Sequence, residues 1–139
     1  MRVIRDPKDP NQVKAALQAD RFFHNIGKEF CQTTPEKFFS LINLGNTVFF
    51  LVDDNNVDRG FAVVKLKSST VAYIGDFIVY EHLKGYGSYF YRKLELHLQS
   101  LGITQIQLSP LGDGAMVFWK KMGFKPDYLN NAKYHKSLH

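Results

Sequence analysis

A strand, a glycine turn and a helix follow one another in Val71-Ala72-Tyr73-Ile74-Gly75-Asp76-Phe77-Ile78-Val79-Tyr80 and then His82-Leu83-Lys84-Gly85-Tyr86-Gly87-Ser88. The first run is β-branched and aromatic, the composition of a strand. From Tyr86 onward the apolar residues Phe90, Leu94, Leu98 and Leu101 recur at helical spacing. Between them lies a Gly-x-Gly turn. Two glycines at this place let the backbone turn tightly and aim its N–H groups outward. With the positive end of the following helix behind them, those amides form a seat for a phosphate group. A bare turn accounts for an isolated Gly-x-Gly, and it is the setting between strand and helix that points to an anion site.

Working outward toward the N-terminus, Ser68-Ser69 marks a turn, preceded by a strand from Gly60 to Lys67. Asp53-Asp54-Asn55-Asn56 is a second turn and Thr47 to Val52 the strand before it, so three strands form an antiparallel meander. Further back the period changes to helical. Thr34-Pro35-Glu36-Lys37 opens a helix that ends at Gly45, with threonine at the cap and proline in the first turn. Asn11 caps an earlier helix carrying Val13, Ala16, Leu17 and Phe22 or Phe23, and a short strand, Arg2 to Arg5, is cut off by Asp6-Pro7 and Asp9-Pro10. Toward the C-terminus, Gly102 ends the helix after the glycine turn and Ile103 to Leu108 alternates as a strand stopped by Pro110. Ala115 to Met122 reads as a short helix closed by Gly123, and a last strand includes Tyr134 to Leu138. The expected order is β-α-α-β-β-β-α-β-α-β, an α/β (α+β) arrangement with a mixed, mostly antiparallel sheet. Residues 1–139 are expected to form one domain, with no repeat, linker or low-complexity tract.

Composition narrows the function. Hydrophobic residues make up 45% and aromatic residues 14%, which is a packed globular chain rather than a disordered one. The formal charge of +5 suits an anionic ligand and leaves a nucleic-acid partner open without favouring it, because a mild lysine excess usually belongs to solvated surface. The single cysteine, Cys31, excludes an internal disulfide and fits a reducing, cytoplasmic compartment. Its neighbours Phe30, Gln32 and Thr33 provide no activating charge, so it reads as partly buried and inert. The start of the chain lacks the apolar core of a signal peptide. The longest apolar run, Val48 to Val52, is too short to cross a bilayer. His24, His82, His97, His135 and His139 show no metal-ligand spacing with one another or with Cys31, so no metal is expected. No Walker loop and no Gly-x-Ser-x-Gly occurs. Phe22-Phe23 and Phe38-Phe39 read as core and pocket lining rather than as stacking platforms for bases.

The element order, the glycine turn after the fourth strand, and Phe118-Trp119-Lys120-Lys121-Met122-Gly123-Phe124 together resemble the GNAT N-acetyltransferase superfamily. The likeness in element order covers nearly the whole chain and is specific at 82–88 and 115–124. The superfamily's turn reads Arg or Gln, two residues, Gly, one residue, Gly or Ala. Gly85 and Gly87 match it, and His82 stands at the Arg/Gln position. Its second pattern is matched by Ala115, Phe118, Gly123 and Phe124, with Trp119 in place of a tyrosine. The resemblance implies acetyl-CoA as co-substrate and an amine as acceptor, with direct transfer between them. It places the pyrophosphate over Leu83, Lys84, Gly85, Tyr86, Gly87 and Ser88, with His82 and Lys84 adding a donor or charge. It also implies an acyl arm bound like an extra strand by the backbone of Ile78 and Val79. The helices from Asn11 to Gly45 would cover one side of the acceptor pocket. The resemblance leaves a homodimer open and names no acceptor.

Asp76 is the most informative polar residue of the strand. Regular alternation would place Ala72, Ile74, Asp76, Ile78 and Tyr80 on one face, and an acid among them is costly to bury unless paired or used. Gly75 beside it suggests a bulge that re-aims the side chain. An amine substrate arrives protonated, and a carboxylate whose pKa is raised by a partly apolar site can take that proton. The structural alternative is an aspartate tied to a backbone N–H or a lysine. An indole cannot protonate a departing thiolate as the superfamily's tyrosine does, so Trp119 reads as packing of the short helix. Tyr80, Tyr128, Tyr134 and Ser109 are the hydroxyls left to supply that proton, and nothing in the sequence selects one. Two other functions remain, a non-catalytic acyl-CoA or partner-binding module and a nucleic-acid-directed modifier.

Overall fold

The computed structural model describes residues 2–5, 45–54, 58–79, 85–130 and 132–138. The two helices expected between Asn11 and Gly45 lie outside these residues, apart from Gly45 itself, and so do Cys31, Tyr80, His82, Leu83 and Lys84. β1 (Arg2–Arg5), β2 (Thr47–Val52), β3 (Asp58–Leu66) and β4 (Val71–Val79) are followed by α1 (Tyr86–Ser100), β5 (Gln105–Leu108), α2 (Asp113–Lys121), β6 (Lys125–Pro126) and β7 (Tyr134–Ser137). The strands form one sheet in the order β1-β2-β3-β4-β5-β7-β6. Every neighbouring pair is antiparallel except β4 with β5, which run parallel across the connection that carries α1. A return through a helix is what a parallel pair requires.

The sheet has one strand more than the sequence pattern shows. Lys125–Pro126 pairs antiparallel with His135 and Tyr134, but two residues carry no periodicity. Leu101 also departs from expectation. It is the residue that caps α1 and is 44% exposed, because the helix has already ended at Ser100. The buried stripe of α1 is Phe90, Tyr91, Leu94 and Leu98.

The core lies between α1, α2 and one face of the sheet. Phe49 and Leu51 of β2, Ala62 and Val64 of β3, Ala72 and Ile74 of β4, Ile106 and Leu108 of β5 and Tyr134 of β7 join the α1 stripe, with Trp119, Met122 and Phe124 from α2 and the turn after it. The opposite sheet face carries Val48, Phe50, Phe61, Val63 and Ile78, which are also buried.

Along β4 the two faces exchange places. Val63 pairs with Asp76 and Val64 with Ile74, so Gly75 has no partner on β3. One extra residue in a strand of period two reverses every side chain beyond it. Ala72 and Ile74 therefore point into the α1–α2 core, and after the bulge Phe77 and Val79 do so instead. The bulge at Gly75 is present as expected, but Asp76 and Ile78 do not share a face with Ala72 and Ile74. They share one with Val63 and Phe61, their partners on β3.

Candidate functional site

β4 and β5 stay together only from Val71↔Gln105 to Ile74↔Leu108. β5 ends there, while β4 continues to Val79. Among the described residues the last part of β4 thus keeps β3 on one side and has no strand on the other, and the two parallel strands part next to the bulge. An open strand edge of this kind offers main-chain groups to an extended ligand. A Cβ on Gly60 of β3 would collide with the carbonyl oxygen of Ile78, which shows that the Ile78 main chain is turned toward β3. Successive residues of a strand turn their N–H and C=O groups to opposite sides. Of the two residues expected to offer backbone contacts, Val79 is therefore the one turned toward the parting.

The N-terminus of α1 lies against this edge. Gly85, its N-cap, has φ 73°, a left-handed conformation that only glycine adopts without cost. No atom of the described residues lies within 4 Å of where a Gly85 Cβ would project, and what glycine supplies there is its backbone hand. Gly87 is different. A Cβ there would meet Phe118 and Val79, so the absence of a side chain lets α1 close onto the end of β4 and onto α2. Gly85 thus turns the chain, and Gly87 lets α1 pack against Phe118 and Val79.

The first carbonyl bond of α1 is from Tyr89 N–H to Gly85 O at 3.1 Å. No side chain caps the helix and its first turn holds no acid. The amides of Tyr86, Gly87 and Ser88 therefore have no acceptor among the described residues, the condition under which a helix N-terminus takes an anion. α2 carries Asp113 in its own first turn.

Asp76 lies at the parting on the face away from α1. Burial pushes its carboxyl above the usual carboxylate range. Neither structural alternative, a backbone N–H or a lysine, is met by a hydrogen-bond or ion-pair partner among the described residues. Trp119 is enclosed by rings, with centroids 4.8 Å from Phe118, 5.0 Å from Phe77, 5.2 Å from Phe124 and 5.3 Å from Tyr91. It packs α2 onto the sheet, in keeping with the reading from sequence. Of the alternative hydroxyls, Tyr134 is buried in the core and Tyr128 is 95% exposed. Ser109 lies directly after β5 and receives a hydrogen bond from Tyr73 Oη at 3.4 Å. Tyr73 carries no signal of its own in the sequence, because an odd spacing from Asp76 reads as opposite faces. The Gly75 bulge is the one feature that could have brought them together.

Among solved structures the chain superposes on Tetrahymena Gcn5 with a TM-score of 0.78 at 14% identity, covering 100% of this chain and 97% of that one. A PaiA N-acetyltransferase from Thermoplasma acidophilum in complex with coenzyme A gives 0.70 at 14% identity, over 99% and 100% of the two chains. A GNAT family acetyltransferase from Elizabethkingia anophelis with acetyl-CoA bound gives 0.61 at 13% identity, over 74% and 83%. The chain has the GNAT acetyltransferase fold. No protein-family model and no curated protein sequence matches it. Within this GNAT fold the strand parting and the free α1 amides adjoin one another at Val79, and Asp76 opens on the far side of the sheet. Among the described residues no three His, Cys, Asp or Glu side chains cluster as metal ligands, and no helix is long and apolar enough to cross a membrane.

Proposed function

We propose that this protein is an acetyl-CoA-dependent N-acyltransferase that passes an acetyl group directly to an amine. The observation that carries the reading is the meeting, at Val79, of an open strand edge with an uncapped, acid-free helix N-terminus. An acyl-CoA has the two features this arrangement suits, a pyrophosphate and an extended amide-bearing arm. Tyr86, Gly87 and Ser88 donate their amides to the pyrophosphate, and the resemblance extends that cradle through Gly85 to His82, Leu83 and Lys84. Val79, next to Ile78, supplies main-chain contacts to the arm. When bound, acetyl-CoA supplies an activated acyl group. Asp76 would take one proton from the incoming ammonium; the freed nitrogen would then attack the thioester carbonyl as the carbon–sulfur bond breaks, and CoA would depart as a thiolate that takes up the second proton the nitrogen sheds on becoming an amide. A thiol such as that of CoA has a pKa near about 8.5, so its thiolate leaves tolerably well near neutrality without a tyrosine at position 119.

Thermal unfolding with CoA or acetyl-CoA, together with a thiol-release assay across a panel of amines, tests this reading. Ligand at 100 times its dissociation constant is expected to add about 2.7 kcal/mol of stability, and at least one amine is expected to release CoA. Stabilisation without any release would identify a non-catalytic acyl-CoA-binding module. The absence of a thermal shift at millimolar acetyl-CoA would remove the reading altogether.

A further inference from the structure

The bulge brings to the mouth of the parting a polar surface that, Asp76 apart, acyl transfer itself does not use. Tyr73 and Asp76 are three residues apart, a spacing that sends side chains of a regular strand to opposite faces. Because Gly75 has no partner on β3, the two share a face. Tyr73 pairs with Gln107 of β5 and Val71 with Gln105, so both glutamines lie on this face as well.

The hydrogen bonds across the surface run in one direction. Tyr73 Oη donates to Ser109 Oγ at 3.4 Å, which leaves the Ser109 hydroxyl hydrogen directed elsewhere. Lys67 Nζ donates to Gln107 Oε1 at 3.0 Å, and Gln107 Nε2 donates to Gln105 Oε1 at 2.9 Å. That chain ends on the amide hydrogens of Gln105. Both series therefore finish on donors that have no acceptor among the described residues, the second series starting from the Lys67 ammonium. Asp76 is the only carboxylate on β4 or β5. A surface with spare donors and one acid is complementary to a molecule with oxygen acceptors and one ammonium.

We propose that Tyr73 and Ser109 determine acceptor specificity, and that the acceptor is an amine bearing a carbonyl group on the carbon next to nitrogen rather than a simple alkylamine. The inference rests on the N-acyltransfer reading for the role of Asp76. Asp76 receives the ammonium, and the Ser109 hydroxyl, oriented by Tyr73, donates to the carbonyl oxygen. A carbonyl missing from the acceptor leaves that donor unpaired in the complex.

Calorimetric binding of leucinamide and 3-methylbutylamine to the full chain, with and without CoA, tests the proposal without requiring turnover. The two amines differ by one carboxamide. Leucinamide is expected to bind about tenfold more tightly, the discrimination of one well-made hydrogen bond. Tyr73→Phe and Ser109→Ala should each bring the ratio close to unity, whereas Leu96→Ala, on the exposed side of α1, should preserve it. Equal binding of the two amines, binding of neither, or a preference that survives both substitutions overturns the proposal. A preference for leucinamide without acetyl transfer to it would sink the acyltransfer reading and leave the recognition standing. Transfer to 3-methylbutylamine as fast as to leucinamide, with equal binding, would do the reverse.

Discussion

Gly87 in the first turn of α1 lies against the ring of Phe118 on α2, where a Cβ would come within 3.3 Å of Phe118 Cε2 and 3.5 Å of Val79 Cγ2. Helix, helix and strand edge thus converge on a position with no side chain. The same contact fixes where the free amides of α1 stand relative to the parting of β4 and β5.

Gly87→Ala is expected to destabilise the fold by about 1–3 kcal/mol, through crowding at a packed junction. Gly85→Ala should cost about 1–2 kcal/mol for a different reason, its left-handed backbone. No atom of the described residues crowds a Cβ at Gly85. Urea unfolding measures both. Gly85→Ala with unaltered stability would mean that the turn readily adopts another conformation. Because Gly87→Ala disturbs packing, loss of CoA binding in Gly85→Ala is the cleaner probe of the anion seat.

Trp119 is 6% exposed and touches four rings, from β4, α1, its own helix and the turn after it. Trp119→Ala should cost about 3–5 kcal/mol, the usual range for a buried large aromatic. Trp119→Tyr is expected to change turnover by less than about tenfold, since thiolate departure near neutrality gains little from an added acid. A rise of about a hundredfold or more would show that thiolate protonation limits the native protein.

Lys136 of β7 binds the end of α2 to α1. Its Nζ donates to Met122 O at 2.8 Å, forms an ion pair with Glu95, and lies 5.6 Å from the centroid of the Tyr91 ring. Tyr91 Oη donates to the same Glu95 at 3.1 Å. Lys136→Met should cost about 1–3 kcal/mol, because the Met122 carbonyl loses a charged donor. A double-mutant cycle with Glu95→Gln should show coupling, and additive losses would reduce the ion pair to a surface contact.

Local pattern carried much of this fold. Phe90, Leu94 and Leu98 announce α1, and Thr47 to Val52 coincides with β2 from end to end. The β6 strand was illegible because it consists of two residues, Lys125–Pro126, held by their pairing with β7. The glycine turn marks the start of α1 and the proposed anion seat, yet the separate reasons for Gly85 and Gly87 depend on backbone hand at one and packing at the other. Gly75 announced a bulge. Which residues changed face could be known only from the β3 register, because the side chains of β4 reverse where Val63 and Val64 take their partners. The Tyr73–Ser109 contact joins a residue of β4 to the residue that follows β5, across the intervening helix, and no local pattern encodes such a pairing.

As the proposed base, Asp76 would tie stability to activity through one carboxyl group. Burial raises its pKa, so the folded protein holds this proton more tightly than the unfolded chain does. By linkage, the folded state is favoured by this group at pH below the ordinary carboxylate range, and that advantage is lost as pH rises through the raised pKa. Above the raised pKa the ionised Asp76 is therefore a net cost. Asp76→Asn should raise the melting temperature at pH 7–8, with the gain shrinking to nothing toward about pH 4, the ordinary carboxylate value. Turnover should move the other way. Only the ionised carboxylate accepts the ammonium proton, so the acid limb of the wild-type pH–rate profile should lie above the ordinary carboxylate range. Asp76→Asn should remove that limb and lower turnover by about 10²-fold, with CoA affinity nearly unchanged. A stabilised variant with full turnover would show that Asp76 takes no proton from the acceptor, while a destabilised one would mean that the carboxylate has a partner in the folded protein.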